Sequence, residues 1–146
     1  MKITKKWMKD HNACRDAVAA WEERGSENDP IKIIGLAMDM NRFDWANWLI
    51  VRVITYKQYV SYAVFAAEQV IEIYEKKYPN DKRPRTAIEA AKKCIAAPTK
   101  KNKAAAYTAA AAAADAAAAA AAAYDDAARR AMQMKIIKYG IAMLKK

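Results

Sequence analysis

The sequence predicts an all-α fold, a single-domain helical bundle of about six or seven helices that spans residues 1–146. Apolar residues recur three and four positions apart along most of the chain, which is the period of one helix face. The 146 residues include only three glycines and four prolines, too few for the many turns of an all-β fold. The C-terminal third is rich in alanine, the strongest helix former.

Capping residues precede the predicted helices of the first 50 residues. They are Thr4, Asn12, Asp29 and Asp44. Pro30 follows Asp29 and suits a first helical position, where a backbone N–H would lack a partner anyway. The helix after Asp44 carries its large apolar side chains on one stripe, at Trp45, Trp48 and Leu49. The pattern therefore predicts four helices before residue 55.

A longer helix is predicted from Tyr56 to Tyr78, and it ends there because the residue before Pro79 avoids helical backbone angles. The next helix stops near Pro98. From residue 100 to 146 the pattern fits one long alanine-rich helix, or two helices with a break near residues 124–126. The sequence leaves these two alternatives open.

The segment between these helices, residues 78–89, is the first candidate site. Asp81 is a natural N-cap for the helix that follows, and Lys82, Arg83 and Arg85 fall at its start. Positive charge at a helix N-terminus opposes the helix dipole. The arginines therefore either pair with nearby carboxylates or bind a phosphate or carboxylate group of a ligand. The nearby carboxylates are those of Glu75, Asp81 and Glu89.

Trp45, Trp48 and Arg52 form the second candidate site, because Arg52 lies one helical turn beyond Trp48. Such a face could stack on a base and hold its phosphate. Large aromatic side chains also dominate protein cores, and that structural interpretation is the more common one. If this helix packs beside the 78–89 segment, the two groups together predict a site for a small anionic ligand such as a cyclic or linear nucleotide.

The chain has 26 basic and 16 acidic residues, a formal net charge of +10, which favours anionic partners. The basic residues are scattered between acidic ones, and no nucleic-acid reading motif occurs, so we rank nucleic acid below the other partners. No signal peptide is evident, and Asp115 interrupts the alanine run, which is only weakly apolar. We therefore expect a cytoplasmic protein without a membrane segment.

Residues for catalysis and metal binding are scarce. His11 is the single histidine, and Cys14 and Cys94 lie far apart, so an ordinary zinc site is excluded. Both thiols are expected to be buried. No glycine-rich phosphate loop occurs. We predict that the protein is not an enzyme and has no catalytic residues, metal or cofactor.

Three sequence blocks and their order resemble a known family. They are ACRDAV at residues 13–18, DWANWL at 44–49 and YPNDKRPRTAIEAA at 78–91, followed by the alanine-rich tail. Together they are similar to small helical proteins of bacteria and phages labelled putative immunity proteins, over nearly the whole chain. The resemblance implies a non-enzymatic inhibitor that binds a protein toxin or a defence effector.

The charge of this chain departs from one common pattern among such inhibitors. Toxin-neutralising proteins are often acidic because they bind basic nucleases, whereas this chain carries +10. A basic nuclease therefore does not fit as the partner. The oligomeric state is left open by the sequence, a homo-oligomer included.

Overall fold

The computed structural model describes residues 1–104 and 126–145, and within these ranges it contains helices and no strand. The prediction of an all-α fold is confirmed. Residues 100–104 are also helical, and the predicted alanine-rich helix falls largely on residues 105–125, outside the described residues. The other helices of the described residues are α1 (Lys5–Asp10), α2 (Arg15–Glu23), α3 (Pro30–Asp39), α4 (Phe43–Val53), α5 (Tyr56–Lys77), α6 (Arg83–Ala96) and α7 (Asp126–Leu144).

Several helices begin where a side chain accepts a hydrogen bond from a free backbone N–H. Thr4 Oγ1 accepts from the backbone N of Trp7 at 3.1 Å before α1, and Asp29 Oδ1 accepts from that of Ile31 at 2.7 Å before α3. Both caps confirm the sequence prediction. At the start of α5, Thr55 and Gln58 form a reciprocal capping box, which the sequence analysis missed.

Two of the four N-caps predicted in the first 50 residues are wrong. Asn12 has a φ of +58° and lies just after α1, while Cys14 is the N-cap residue of α2. The backbone N of Asn12 donates to the carbonyl of Lys9, and that of Ala13 donates to the carbonyl of Met8. This paired arrangement is the Schellman ending of a helix, with Asn12 in the left-handed position that asparagine tolerates. Asp44 lies inside α4, whose N-cap residue is Arg42.

The described residues group into two compact units, residues Met1–Ile54 with Ile137–Lys146 (unit 1) and Thr55–Ile136 (unit 2). That the chain folds as a single domain stays a prediction. In unit 1, α3 packs against α4, and the two rings of Trp7 and Trp48 meet edge to face at 6.0 Å between centroids. Its most deeply buried side chains are those of Ile3, Ile34, Ala46, Ile50 and Ile137.

Unit 2 is built on a hairpin of α5 and α6. Val64 and Ile71 of α5 pack with Ile88 of α6 in a buried cluster. Across the hairpin, Lys92 Nζ lies 2.8 Å from Glu68 Oε1. The loop of residues 78–82 closes one end of the hairpin. At the opposite, free end, where α5 begins and α6 ends, the Tyr56 hydroxyl lies 3.7 Å from the sulfur of Cys94. The two helices are therefore antiparallel.

The two cysteines differ in exposure. Cys94 is buried as expected, whereas the expectation for Cys14 is wrong, because its thiol is exposed at the start of α2. Among the helices of the described ranges, none is both long enough and apolar enough to cross a membrane.

Candidate functional site

Asp81 organises the loop that joins α5 to α6. Its carboxylate accepts hydrogen bonds from the Tyr74 hydroxyl at 2.7 Å and from the backbone N of Arg83 at 3.0 Å. The guanidinium of Arg83 adds three more bonds, from Nε to Oδ1 at 2.9 Å and to Oδ2 at 3.1 Å, and from Nη2 to Oδ2 at 2.6 Å. The Arg83 guanidinium, followed by the Tyr74 hydroxyl, holds the pKa of Asp81 well below its usual range.

Arg85 has a carboxylate partner of its own on the neighbouring helix. Its Nε lies 2.9 Å from Glu75 Oε1, and its Nη2 lies 2.5 Å from Glu75 Oε2, so the pair is bidentate. This hydrogen bonding lowers the pKa of the Glu75 carboxyl and raises that of the Arg85 guanidinium. The pair connects the last turns of α5 to the first turn of α6.

Lys82, and not Asp81, is the N-cap residue of α6. Its carbonyl accepts hydrogen bonds from the backbone N of Thr86 at 2.9 Å and from Thr86 Oγ1 at 3.0 Å. Asp81 lies one position before this N-cap residue, and its carboxylate still accepts a hydrogen bond from the backbone N–H of Arg83. The Lys82 side chain is exposed and forms no ion pair with a described residue.

Both arginines of this loop are therefore paired with the carboxylates that the sequence named as their alternative partners. An incoming anion would compete with Asp81 for Arg83 and with Glu75 for Arg85. Anion binding by Lys82, Arg83 and Arg85 stays a prediction.

The tryptophans of α4 each have a guanidinium over the ring. The Cζ of Arg42 lies 3.6 Å from the ring centroid of Trp45, and that of Arg52 lies 4.1 Å from the ring of Trp48. Arg52 also donates from Nη1 to the carbonyl of Trp48 at 3.0 Å. The predicted site includes Arg52 beside Trp48 but not Arg42, although Arg42 precedes Trp45 by three positions, the spacing that brings helical side chains together.

An apolar cavity of about 330 Å³ lies within unit 1, between α2, α3 and α4. Trp45 and Trp48 are among its lining residues, and Arg42 and Asp44 contribute charged groups. Arg42 binds Asp44 in a bidentate pair, with Nε 2.9 Å from Oδ1 and Nη2 2.6 Å from Oδ2. Arg52 is not among the residues that line this cavity.

The six predicted ligand-binding residues divide between the two units. Trp45, Trp48 and Arg52 belong to unit 1, and Lys82, Arg83 and Arg85 belong to unit 2. That either group binds a ligand, alone or in a pocket shared by both groups, stays a prediction.

Exposed aromatic side chains mark the free end of the α5–α6 hairpin, which the sequence analysis did not single out. Tyr56 is 52% exposed and Tyr59 is 45% exposed. The Nζ of Lys103 lies 5.1 Å from the ring centroid of Tyr56. We call Tyr56, Lys57, Tyr59 and Lys103 the tyrosine–lysine surface. The spacing of the two tyrosines could have placed them on one helix face, but their exposure depends on the packing of the whole unit.

The His11 side chain contacts Trp7 of α1, the helix that it follows. Its ring stacks on Trp7 at 4.0 Å between centroids, and its Nδ1 lies 2.8 Å from the Trp7 carbonyl oxygen. Within residues 1–104 and 126–145, no three His, Cys, Asp or Glu side chains cluster in a way that could hold a metal ion.

Residues 52–136 match the model of a family described as "Imm-5 like putative immunity protein". The matched range begins three residues before unit 2 and ends at its last residue. A comparison with curated proteins and with solved structures finds no significant match to the chain.

Proposed function

Because the chain belongs to the Imm-5 like putative immunity protein family, we propose that it neutralises a protein toxin or a defence effector by binding to it. The observation that carries this proposal is the match itself, since it covers unit 2 from end to end. An immunity-type role needs a stable surface that covers the partner's working site, and no bond has to be made or broken. Unit 2 is therefore where we expect the partner to bind.

The tyrosine–lysine surface is the part of unit 2 that best suits a protein partner. Tyrosine is enriched in protein interfaces, because it buries a large rigid ring at a small entropic cost and keeps a polar tip. Tyr56 and Tyr59 lie side by side on α5 and are both about half exposed. The ammonium of Lys103 beside the Tyr56 ring and the neighbouring Lys57 give this surface a positive rim.

The charge of unit 2 indicates the chemistry of the partner. Residues 55–136 contain 14 basic and 8 acidic residues, a formal net charge of +6. Complementary charge steers two proteins together and suppresses wrong partners. We therefore expect the partner to present an acidic face to the tyrosine–lysine surface, in contrast to the basic nucleases that acidic inhibitors bind.

A growth assay tests this function. Bacterial growth is measured while a toxic product of a gene neighbouring this one is expressed alone and together with the chain. Co-expression of the wild-type chain should restore growth, and the Tyr56→Ala/Tyr59→Ala double variant should not. Tyr78→Ala is the matched control, because Tyr78 is 39% exposed but lies at the loop end of the hairpin.

The assay has two informative failures. If the wild-type chain restores growth against none of the toxic neighbouring products, the immunity role is wrong. If the folded double variant restores growth as well as the wild type, the role stands and the tyrosine–lysine surface is not the binding site. Circular dichroism of each purified variant establishes that it is folded.

A further inference from the structure

The cavity of unit 1 lies outside the family-matched residues and opens to solvent, because Cys14, Arg24 and Asp44 of its lining are exposed. Its volume is about 330 Å³. Pockets that bind small molecules begin near this size and are lined mostly by apolar side chains. Ile33, Leu36 and Met40 of α3 form one part of the lining.

Three indole rings form much of the remaining lining, those of Trp21, Trp45 and Trp48. Aromatic rings pack favourably against other flat rings in offset or edge-to-face arrangements. The Trp21 indole is fixed, because its Nε1 donates to the carbonyl of Glu27 at 2.6 Å. A preformed wall of rings favours a planar aromatic ligand over a flexible aliphatic chain, because less freedom is lost on binding.

Two guanidinium groups also line the cavity, and both keep N–H groups available. Arg42 uses Nε and Nη2 for Asp44, and its Nη1 has no hydrogen bond to the described residues. Arg24 donates from Nη1 to the carbonyl of Ala20 at 3.2 Å, and the same nitrogen lies 3.9 Å from Glu23 Oε2, which leaves Nε and Nη2 without a hydrogen bond to the described residues. Among the lining residues, Arg24, Arg42 and Asp44 sum to a formal charge of +1, and Glu23, the ion-pair partner of Arg24, is not part of the lining. A lining of this kind matches one negative charge, and it lacks partners for the several charges of a nucleotide phosphate chain.

We infer that the cavity between α2, α3 and α4 binds a small aromatic compound that carries a single carboxylate or sulfonate group. The rings of Trp21, Trp45 and Trp48 contact its ring system, and Arg24 and Arg42 hold its acid group. This activity is separate from the proposed partner binding, which lies in unit 2, so either can fail without the other.

A matched pair of fluorescent probes tests the inference on the full chain. The first probe is 1-anilinonaphthalene-8-sulfonate, and the second is N-phenyl-1-naphthylamine, which has the same rings and no sulfonate. The sulfonate probe should bind at one site per chain, about tenfold more tightly than the neutral probe, because arginine forms charge-assisted hydrogen bonds with the sulfonate alone. Equal affinity of the two probes would overturn the assignment of an acid ligand.

Variants locate the binding site. Ala17 of α2 lines the cavity, whereas Ala19 on the same helix is exposed and does not. Ala17→Leu should fill the cavity and weaken binding of both probes about tenfold, while Ala19→Leu should leave binding unchanged. Arg24→Gln should weaken binding of the sulfonate probe and leave that of the neutral probe as it was. If Ala17→Leu and Ala19→Leu bind both probes like the wild type, the probes occupy another surface and the inference fails.

Cys14 provides a second readout, because its thiol is exposed and lies in the cavity lining. The sulfonate probe should slow the reaction of Cys14 with a thiol reagent in the wild type and in Ala19→Leu, but not in Ala17→Leu. Buried Cys94 reports on folding in the same experiment, since it should stay unreactive in every folded variant. A Cys14 reaction rate that does not change with saturating probe would contradict binding in this cavity.

Discussion

Two half-buried tryptophans of unit 1 differ in how their indole N–H is satisfied. Trp21 donates to the carbonyl of Glu27 at 2.6 Å and so fixes the loop after α2. Trp45 Nε1 is buried and finds no hydrogen-bond partner among the described residues, although the guanidinium of Arg42 covers its ring. The two side chains therefore contribute to stability in different ways.

Trp21→Phe should destabilise the protein more than Trp45→Phe does. Both substitutions remove ring area, but only Trp21→Phe breaks a hydrogen bond and leaves the carbonyl of Glu27 without it. We expect the free energy of unfolding to fall by about 1 kcal/mol more for Trp21→Phe. Urea denaturation measures the difference, and an equal or smaller cost for Trp21→Phe would contradict the assignment.

Asp81 should make the stability of the protein depend on acid pH. Its pKa is depressed in the folded state, mainly by Arg83, so its stabilising contribution is complete above the unfolded-state pKa and is lost as pH falls through the lower folded-state value. Relative to Asp81→Asn, the wild type should lose stability between about pH 5 and pH 2.

Urea midpoints across this pH range measure the effect of Asp81. Asp39→Asn is the matched control, because Asp39 is exposed and has no ion pair with a described residue. Identical pH profiles for the wild type and Asp81→Asn would rule out the hydrogen-bonded role of Asp81.

At the scale of residues, the sequence predicted where the charges around α6 lie, but not whether they form ion pairs or bind a ligand. It identified Arg83 and Arg85 at the start of the helix and named Asp81 and Glu75 among their carboxylate partners. It left ion pairing and ligand binding open, because both need the same charges at the same spacing. The Tyr74 hydroxyl on Asp81 could not be foreseen, since that bond depends on how the chain turns back after α5.

At the scale of elements, the first three helices share one way of ending. Each is followed by a residue with positive φ, and the two hydrogen bonds of a Schellman motif close the last turn. Asn12, Gly25 and Asn41 occupy these positions. Asparagine suits both an N-cap and a left-handed C-terminal position, so the sequence alone misassigned Asn12 as the start of α2. Gly25, with a φ of +86°, carries no such ambiguity, because glycine is the residue that most commonly takes the left-handed position after a helix.

The α5–α6 hairpin should depend on its small buried cluster. Ile88 is 3% exposed and packs with Val64 and Ile71, whereas Ile95 is only partly buried at the edge of this cluster. Ile88→Ala should lower the free energy of unfolding by about 2–5 kcal/mol, the usual range for deleting a buried isoleucine side chain, and Ile95→Ala should lower it less. Equal costs in urea denaturation would show that the cluster is not the core of the hairpin.

At the scale of the whole molecule, intrinsic probes distinguish the two units. All four tryptophans lie in residues 1–54, and the buried thiol of Cys94 lies in unit 2. We expect the chain to unfold as one cooperative domain, so tryptophan fluorescence and the reactivity of Cys94 should change at the same urea concentration. Cys14→Ser leaves Cys94 as the single reactive thiol. Two separate midpoints would contradict a single domain.

The sequence predicted the all-α class because helical periodicity and scarce glycine are properties of the chain itself. It could not predict the tyrosine–lysine surface or the unit 1 cavity, since both arise where separate helices meet. Tyr56 and Trp45 show the difficulty: each is a large aromatic residue near the start of a helix, yet one is 52% exposed and the other lines a cavity. The family resemblance supplied the functional class, which neither composition nor charge could give.

Neutralisation by binding is tested most directly by titrating the partner's toxic activity with the purified chain. If the chain acts as a stoichiometric inhibitor, the remaining activity should fall linearly with added chain, reach its minimum near a fixed molar ratio, and be independent of incubation time once the complex has formed. Tyr56→Ala/Tyr59→Ala should shift the titration to higher concentration, and Tyr78→Ala should not. Inactivation by far less than one equivalent of chain, increasing with incubation time, would mean that the chain acts as a catalyst and would contradict the account.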